Sequence, residues 1–205
     1  MSLKVVILAF DGMEALDFAG PFEVFTTAAR MAQRMGLGQD PWCTVQCVAA
    51  SDAPVAARAG LRVLPDFSFT RFASVANQPA DILLIPGGVV DAALKNPATL
   101  AWIAHQSASA GITASVCTGA FLLAGAGVLT DQRVTTHWED LADLQNAWPK
   151  LQVLGDVRWV DNGRTITSAG ISAGIDMSLH LVERLGGRVL AERTARQMDF
   201  SWTQN

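Results

Sequence analysis

The residue with the clearest chemical potential in this chain is Cys117, which stands between the apolar run Ile112 to Val116 and the small-residue stretch Ala120 to Ala126. A strand that turns at once into a helix exposes the residue at the turn, and the first helical amides there favour thiolate over thiol. Gly119 and Ala120 leave that turn uncrowded. The amides of Thr118 and Gly119 can donate to an anion forming beside the sulfur, and Gly87 and Gly88, at another strand end, offer further donors. The alternative is a buried thiol that merely packs.

A nucleophilic cysteine needs a proton partner. His137, in Thr-Thr-His-Trp-Glu twenty positions on, can fold back toward the thiol, although a His beside a Trp is commonly hydrogen-bonded structure. His105 is expected on an exposed helix face and His180 packed on its helix. Acidic candidates are better placed: Asp11, Glu14 and Asp17 all follow the first apolar run. Asp17 stands at a helix start, where the ordinary duty of an Asp is N-capping. A partly buried carboxyl with a raised pKa would instead shuttle protons with Cys117.

Cys43 and Cys47, four apart in a β-branched and apolar stretch, share one face of a strand and read as core. Three cysteines do not suit a disulfide framework, and no metal-ligand spacing links them to the three histidines. No metal or other cofactor is expected. With 15 Lys+Arg scattered against 19 Asp+Glu, phosphate-neutralising binding to nucleic acid is disfavoured. The apolar runs fall far short of the ~20 residues that span a bilayer. Asp11, Glu14 and Asp17 interrupt the first run where a signal peptide would continue, so a cytoplasmic location is expected.

At 205 residues, half of them hydrophobic, the chain is expected to form one domain over 1–205. Strands are predicted over Lys4 to Phe10, 43–50, Asp81 to Pro86, Ile112 to Val116, Val157 to Asp161 and Thr165 to Ser168. Helices are predicted over Asp17 to Arg34, with Pro21 in the first turn, and over Pro97 to Ala110, Ala120 to Ala126, Glu139 to Trp148, 172–185 and 187–199. Asn162-Gly163 reads as a hairpin turn. Ser51 to Gln78 is loop-rich, with a short strand near Leu61 to Leu64. Strands alternating with helices give an α/β fold with a mostly parallel central sheet, which binds ligands beyond the carboxyl ends of its strands. That rule selects the loop after Phe10, the turn at Pro86-Gly87-Gly88, Cys117, and the segment at Gly170-Ile171.

Five segments then carry a resemblance: Leu16-Asp17-Phe18-Ala19-Gly20-Pro21-Phe22-Glu23-Val24, Ile85-Pro86-Gly87-Gly88, Ser115-Val116-Cys117-Thr118-Gly119-Ala120, Thr135-Thr136-His137-Trp138 and Ser168-Ala169-Gly170-Ile171-Ser172-Ala173-Gly174-Ile175-Asp176. Together they resemble the ThiJ/PfpI superfamily, over nearly the whole chain and in order, and within it the isonitrile hydratase branch. The resemblance implies a flavodoxin-like three-layer sandwich with a nucleophile elbow, a single domain of the class I glutamine amidotransferase-like type. It also implies a homodimer and cofactor-free hydration of an isocyanide to an N-substituted formamide. By motif, Cys117 would be the nucleophile forming a thioimidate, Asp17 the general acid/base, and Thr118 the hydroxyl residue after the nucleophile. Ile171 would set its backbone against the nucleophile-bearing helix, and Gly87 and Gly88 would form the glycine turn beside the site. Phe22, Trp138 and Ile171 are expected to wall an apolar pocket for an uncharged substrate.

Departures from other branches sharpen this expectation. Peptidases of the PfpI type place His directly after the Cys, where this chain has Thr118. Deglycase-like members use a Glu on the first loop; Glu14 is near, but the Leu-Asp-Phe-Ala-Gly-Pro context selects Asp17. His137-Trp138-Glu139 falls too soon after Cys117 for a glutamine amidotransferase. The rival class is the sensor domain of AraC-type regulators, which implies a stand-alone small-molecule-binding or stress-sensing protein. The sequence given ends at Asn205, so no DNA-binding helix pair is expected. Another Cys-dependent enzyme of the superfamily is the third reading.

Overall fold

The computed structural model describes residues 2–37, 41–75 and 79–204. In chain order its elements are β1 (Leu3–Leu8), α1 (Ala15–Arg34), β2 (Cys43–Ala49), β3 (Val55–Ala56), β4 (Arg62–Val63), β5 (Phe67–Ser68), α2 (Phe69–Val75), β6 (Ile82–Ile85), α3 (Asp91–Leu94), α4 (Pro97–Ser109), β7 (Ile112–Val116) and α5 (Gly119–Gly125). There follow β8 (Arg133–Val134), α6 (Leu141–Ala147), β9 (Gln152–Val153), β10 (Trp159–Asp161), β11 (Thr165–Ser168), α7 (Ala173–Gly186) and α8 (Arg188–Gln197). The loop-rich stretch expected over Ser51 to Gln78 carries β3, β4, β5 and α2, and its last three positions lie outside the described residues.

A seven-stranded sheet in the order β10-β11-β7-β6-β1-β2-β5 forms the middle layer. All its pairings are parallel except the hairpin β10–β11, which turns at Asn162-Gly163. Helices α1, α7 and α8 pack together, while α5 packs with α3, α4, β6 and β7. This is the flavodoxin-like three-layer sandwich. Both faces of the central strands are covered, which explains why β6 and β7 are buried at every position. Each Ile or Leu enclosed there contributes roughly 1.5–3 kcal/mol. Among the described residues, no helix is long and apolar enough to cross a membrane.

The sheet order places the chemistry. The chain runs from β1 to β2 on one side and later returns as β6 on the other, so the loops leaving β1 and β6 diverge. A crevice opens where such loops part. Helix α1 begins at Ala15, two residues earlier than expected, and Glu14 occupies its N-cap position. Asp17 is therefore the third helical residue and not the cap. Pro21 is likewise the seventh, inside the helix rather than in its first turn. It has no N–H to offer the Asp17 carbonyl one turn back. One residue earlier, Gly20 brings α1 against α7: a Cβ there would stand 2.9 Å from Ile175 Cγ1.

Candidate active site

The four loops selected above meet at one point. After β1, Met13 pairs with Gly88 in an isolated bridge, and Glu14 N–H donates to Gly87 O at 2.8 Å. Gly119 seats the start of α5 on the end of β6, because a Cβ there would lie 2.3 Å from Ile85 O. At Gly88 (φ +130) the backbone itself requires glycine, and a Cβ would also strike Gly12 O at 2.3 Å.

Cys117 occupies the turn from β7 to α5 with φ +56, a left-handed conformation that costs a non-glycine residue about 1 kcal/mol or more. Neighbouring strands hold it there. Its N–H is shared between Ser168 O and Ala169 O at 3.1 and 3.2 Å, and the Thr136 hydroxyl donates to its carbonyl at 2.8 Å. Ile171 has the same left-handed backbone (φ +47), rare for a β-branched residue, and its amide faces the Asp17 carboxyl. This is a nucleophile elbow.

Asp17 is fully buried and faces the Cys117 thiol. Its Oδ2 accepts the Gly87 N–H at 3.1 Å, whereas its Oδ1 is buried with no hydrogen-bond partner among the described residues. Burial pushes its pKa up to about 7, helped by the Glu14 charge and opposed by the Gly87 amide. A carboxyl so placed holds a proton on its unpaired oxygen near neutral pH.

Two expectations about activation are corrected. Burial pushes the Cys117 thiol up to about 12, and the neighbouring Asp17 charge adds to this, outweighing the Thr118 amide and hydroxyl. The resting site is thus a thiol beside a carboxyl, not the expected thiolate. The Gly87 and Gly88 amides are also not free donors: the first is taken up by Asp17 and the second by Thr118 Oγ1 at 2.8 Å. The Thr118 hydroxyl returns its own proton to Gly88 O at 2.9 Å. Thr118 thus ties the glycine turn to the elbow, while its amide and hydroxyl also face the Cys117 sulfur.

A cavity of about 220 Å³ opens over the sulfur. Cys117, Thr118, Gly88, Ile171 and His137 line it, together with Glu14, Arg58, Glu139 and Asp140. The expected apolar wall is absent apart from Ile171. Trp138 is 71% exposed and faces a neighbouring hollow, while Phe22 stacks on Phe18 in α1. The His137 ring lies against Gly170, with Nδ1 3.4 Å from Asp140 Oδ2 and the Glu139 N–H also directed to it at 3.4 Å. His105 is exposed, and His180 pairs with Asp161 at 2.8 Å while stacking on Trp159.

Arg58, Glu139 and Asp140 were not anticipated from the sequence. Arg58 arrives with the β3–β4 hairpin, whose loop donates Arg58 N–H to Met13 O at 2.8 Å. Such a long-range contact leaves no periodic signal. A larger cavity of about 460 Å³ opens at the other end of the sheet, beside Thr113 and Thr165 at the starts of β7 and β11. It is lined by no thiol, histidine or carboxylate, so the chemistry belongs to the smaller one.

The model of the DJ-1/PfpI family matches residues 3–184. The chain is 31% identical over 204 residues to the isonitrile hydratase of Pseudomonas putida, spanning 98% of this chain and 80% of that protein. It is 28% identical over 197 residues to the HTH-type transcriptional regulator CdhR of Pseudomonas aeruginosa, spanning 96% of this chain but 55% of the regulator's length. Among solved structures, a ThiJ/PfpI family protein of Pseudomonas syringae superposes with a TM-score of 0.83 at 27% identity, covering 100% of this chain and 77% of its own.

Proposed function

The chain belongs to the DJ-1/PfpI family, and on that footing we propose that it hydrates an isocyanide to an N-substituted formamide without a cofactor. One observation carries the reading: a fully buried carboxyl, with one oxygen unpaired, faces the thiol of a strained strand-to-helix turn. The likeness to the Pseudomonas putida isonitrile hydratase over 98% of the chain supports the substrate class.

The terminal carbon of R–N≡C carries a lone pair and must gain both a proton and a nucleophile. Asp17 gives its proton to that carbon, the Cys117 sulfur attacks the same atom, and the thiol proton passes to the carboxylate just formed. The product is a thioimidate, R–N=CH–S, with Asp17 protonated again. No free thiolate has to exist at rest, which fits a thiol pushed up to about 12. In the second half, Asp17 protonates the nitrogen and accepts a proton from a water whose oxygen attacks the carbon. Collapse of R–NH–CH(OH)–S then breaks the C–S bond, and the hydroxyl proton returns through Asp17 to sulfur. The sum is R–NC plus water giving R–NH–CHO. The proposal includes a homodimer and a cytoplasmic location.

The likeness to CdhR over 96% of the chain supports a second reading, a stand-alone small-molecule-binding protein. Purified protein incubated with simple alkyl and aryl isocyanides separates the two. Formamide production by wild type and its loss in Cys117→Ala are expected. Saturable ligand binding with isocyanides left intact would favour the second reading and overturn the first.

A further inference from the structure

The cavity that receives the substrate is small, polar and unevenly charged. At roughly 20–30 Å³ per heavy atom, about 220 Å³ holds roughly seven to eleven of them. Apart from the His137 imidazole, no aromatic ring lines it among the described residues. Three carboxylates, Glu14, Glu139 and Asp140, stand against one guanidinium, Arg58, a balance of −2 with His137 left aside. Arg58 does not neutralise the wall closely: its nearest carboxylate contact is to Glu14 at 3.9 Å, beyond hydrogen-bonding reach, and its side chain is 65% exposed.

The unpaired, fully buried Asp17 Oδ1 and the Cys117 sulfur fix where the reacting carbon must sit, so the remainder of the substrate extends along this acidic wall. We infer that the substrate is a small aliphatic isocyanide whose substituent carries a positive charge. The inference rests on the hydratase reading and names its substrate class. An uncharged aromatic substituent finds no Phe or Trp to stack on among the described lining residues, only the His137 imidazole held by Asp140 and the Glu139 N–H, and a carboxylate would face three like charges. The acidic field reaches the reacting groups: after burial and Asp17, the Asp140 charge is a further cause of the raised Cys117 pKa, and Glu14 contributes to raising Asp17. A cationic group would relieve both effects on entering.

Isocyanides of matched chain length ending in dimethylamino, isopropyl and carboxylate groups test this, because the first two are nearly isosteric and differ at pH 7 in charge. The expected result is a kcat/KM for the amine at least about ten-fold above the isopropyl compound at low salt, with the carboxylate lowest and the ratio shrinking toward unity at 1 M salt. In Glu139→Gln the amine-to-isopropyl ratio should fall about three-fold. A ratio of one or less in wild type, with all three compounds converted, overturns the charge inference and leaves the hydratase reading standing. If none is converted, the hydratase reading fails, and calorimetric binding to Cys117→Ala decides the ligand class. Tighter binding of the amine than of its isopropyl isostere supports the cationic ligand; equal binding overturns it.

Discussion

Asp17 in α1 and Asp176 in α7 are both fully buried, on helices that pack against each other. Around Asp176 every acceptor is met. Its Oδ1 takes the Thr203 N–H at 2.8 Å, and its Oδ2 takes Nε of Arg158 at 2.9 Å together with that side chain's Nη2. Around Asp17 the Gly87 amide serves Oδ2, the Ile171 amide and the Cys117 thiol face the carboxyl, and Oδ1 makes no hydrogen bond among the described residues. An identical side chain at an identical depth therefore anchors a C-terminal segment in one place and is kept ready to hold a proton in the other. Burial alone does not make a functional acid; burial with a partner withheld does.

The largest expected effect falls on turnover at the Asp17 end. Under the proposed reading, Asp17→Asn lowers kcat/KM by about 10²–10⁴-fold, and Cys117→Ala removes activity altogether. Asp176→Asn should retain the chemistry in whatever fraction of the protein stays folded. Formamide release by the three variants, normalised to folded protein by circular dichroism, checks this. If Asp17→Asn kept more than a tenth of wild-type activity, the contrast between the two carboxyls would collapse.

Stability should move the opposite way. The Asp17 carboxyl titrates near 3.8 when unfolded and at about 7 when folded, so below pH 4 both states are protonated and the residue is neutral in effect. Between pH 4 and 7 the unfolded chain loses the proton first, and each pH unit destabilises the fold by about 1.4 kcal/mol, roughly 4 kcal/mol in all. Asp17→Asn escapes this, so urea unfolding should show it gaining on wild type across that window and holding the gain above pH 7. Activity that needs the protonated acid should decline as pH rises through about 7. A pH-independent difference between the two proteins would mean that Asp17 is not held protonated.

Asp176→Asn, in contrast, breaks a buried pair and should cost about 3 kcal/mol at neutral pH. Arg158 is 34% exposed and can turn partly to water, which keeps the cost at the lower end of the range for buried pairs. Urea midpoints at pH 7 would measure it. A neutral substitution would show that the Thr203 and Arg158 contacts do not anchor the segment.

How far this contrast could be read beforehand depends on which forces are local. The runs Ile82 to Ile85 and Ile112 to Val116 announce strands covered on both faces, and Cys117 follows the second directly, so the sheet and the elbow are legible. Asp17 is legible as a residue near the first strand end. Its unpaired oxygen is not, because that depends on which amide of the distant Gly87 turn meets it. The thiol misleads for the same reason. A helix start is visible in sequence, while the burial and the Asp17 charge that outweigh it are not. Arg58 and Asp140, delivered by a short hairpin and a polar turn, carry no pattern tying them to Cys117.

The smallest effect should come from the clamp that holds the Gly87 amide on Asp17. The Thr118 hydroxyl exchanges hydrogen bonds with Gly88 N–H and C=O, which fixes the neighbouring Gly87, whose amide donates to Oδ2. Thr118→Val keeps the shape and removes both bonds, leaving Gly88 unsatisfied at about 1–3 kcal/mol. The turn then relaxes to find other partners, and the expected outcome is a loss of about ten-fold in kcat/KM. Thr118→Ser restores the hydroxyl and should recover most of the activity, which a purely volume-dependent role would not predict. If Thr118→Val matched wild type in both rate and pH profile, the glycine turn would be held on Asp17 by its backbone contacts with Met13 and Glu14 without the hydroxyl.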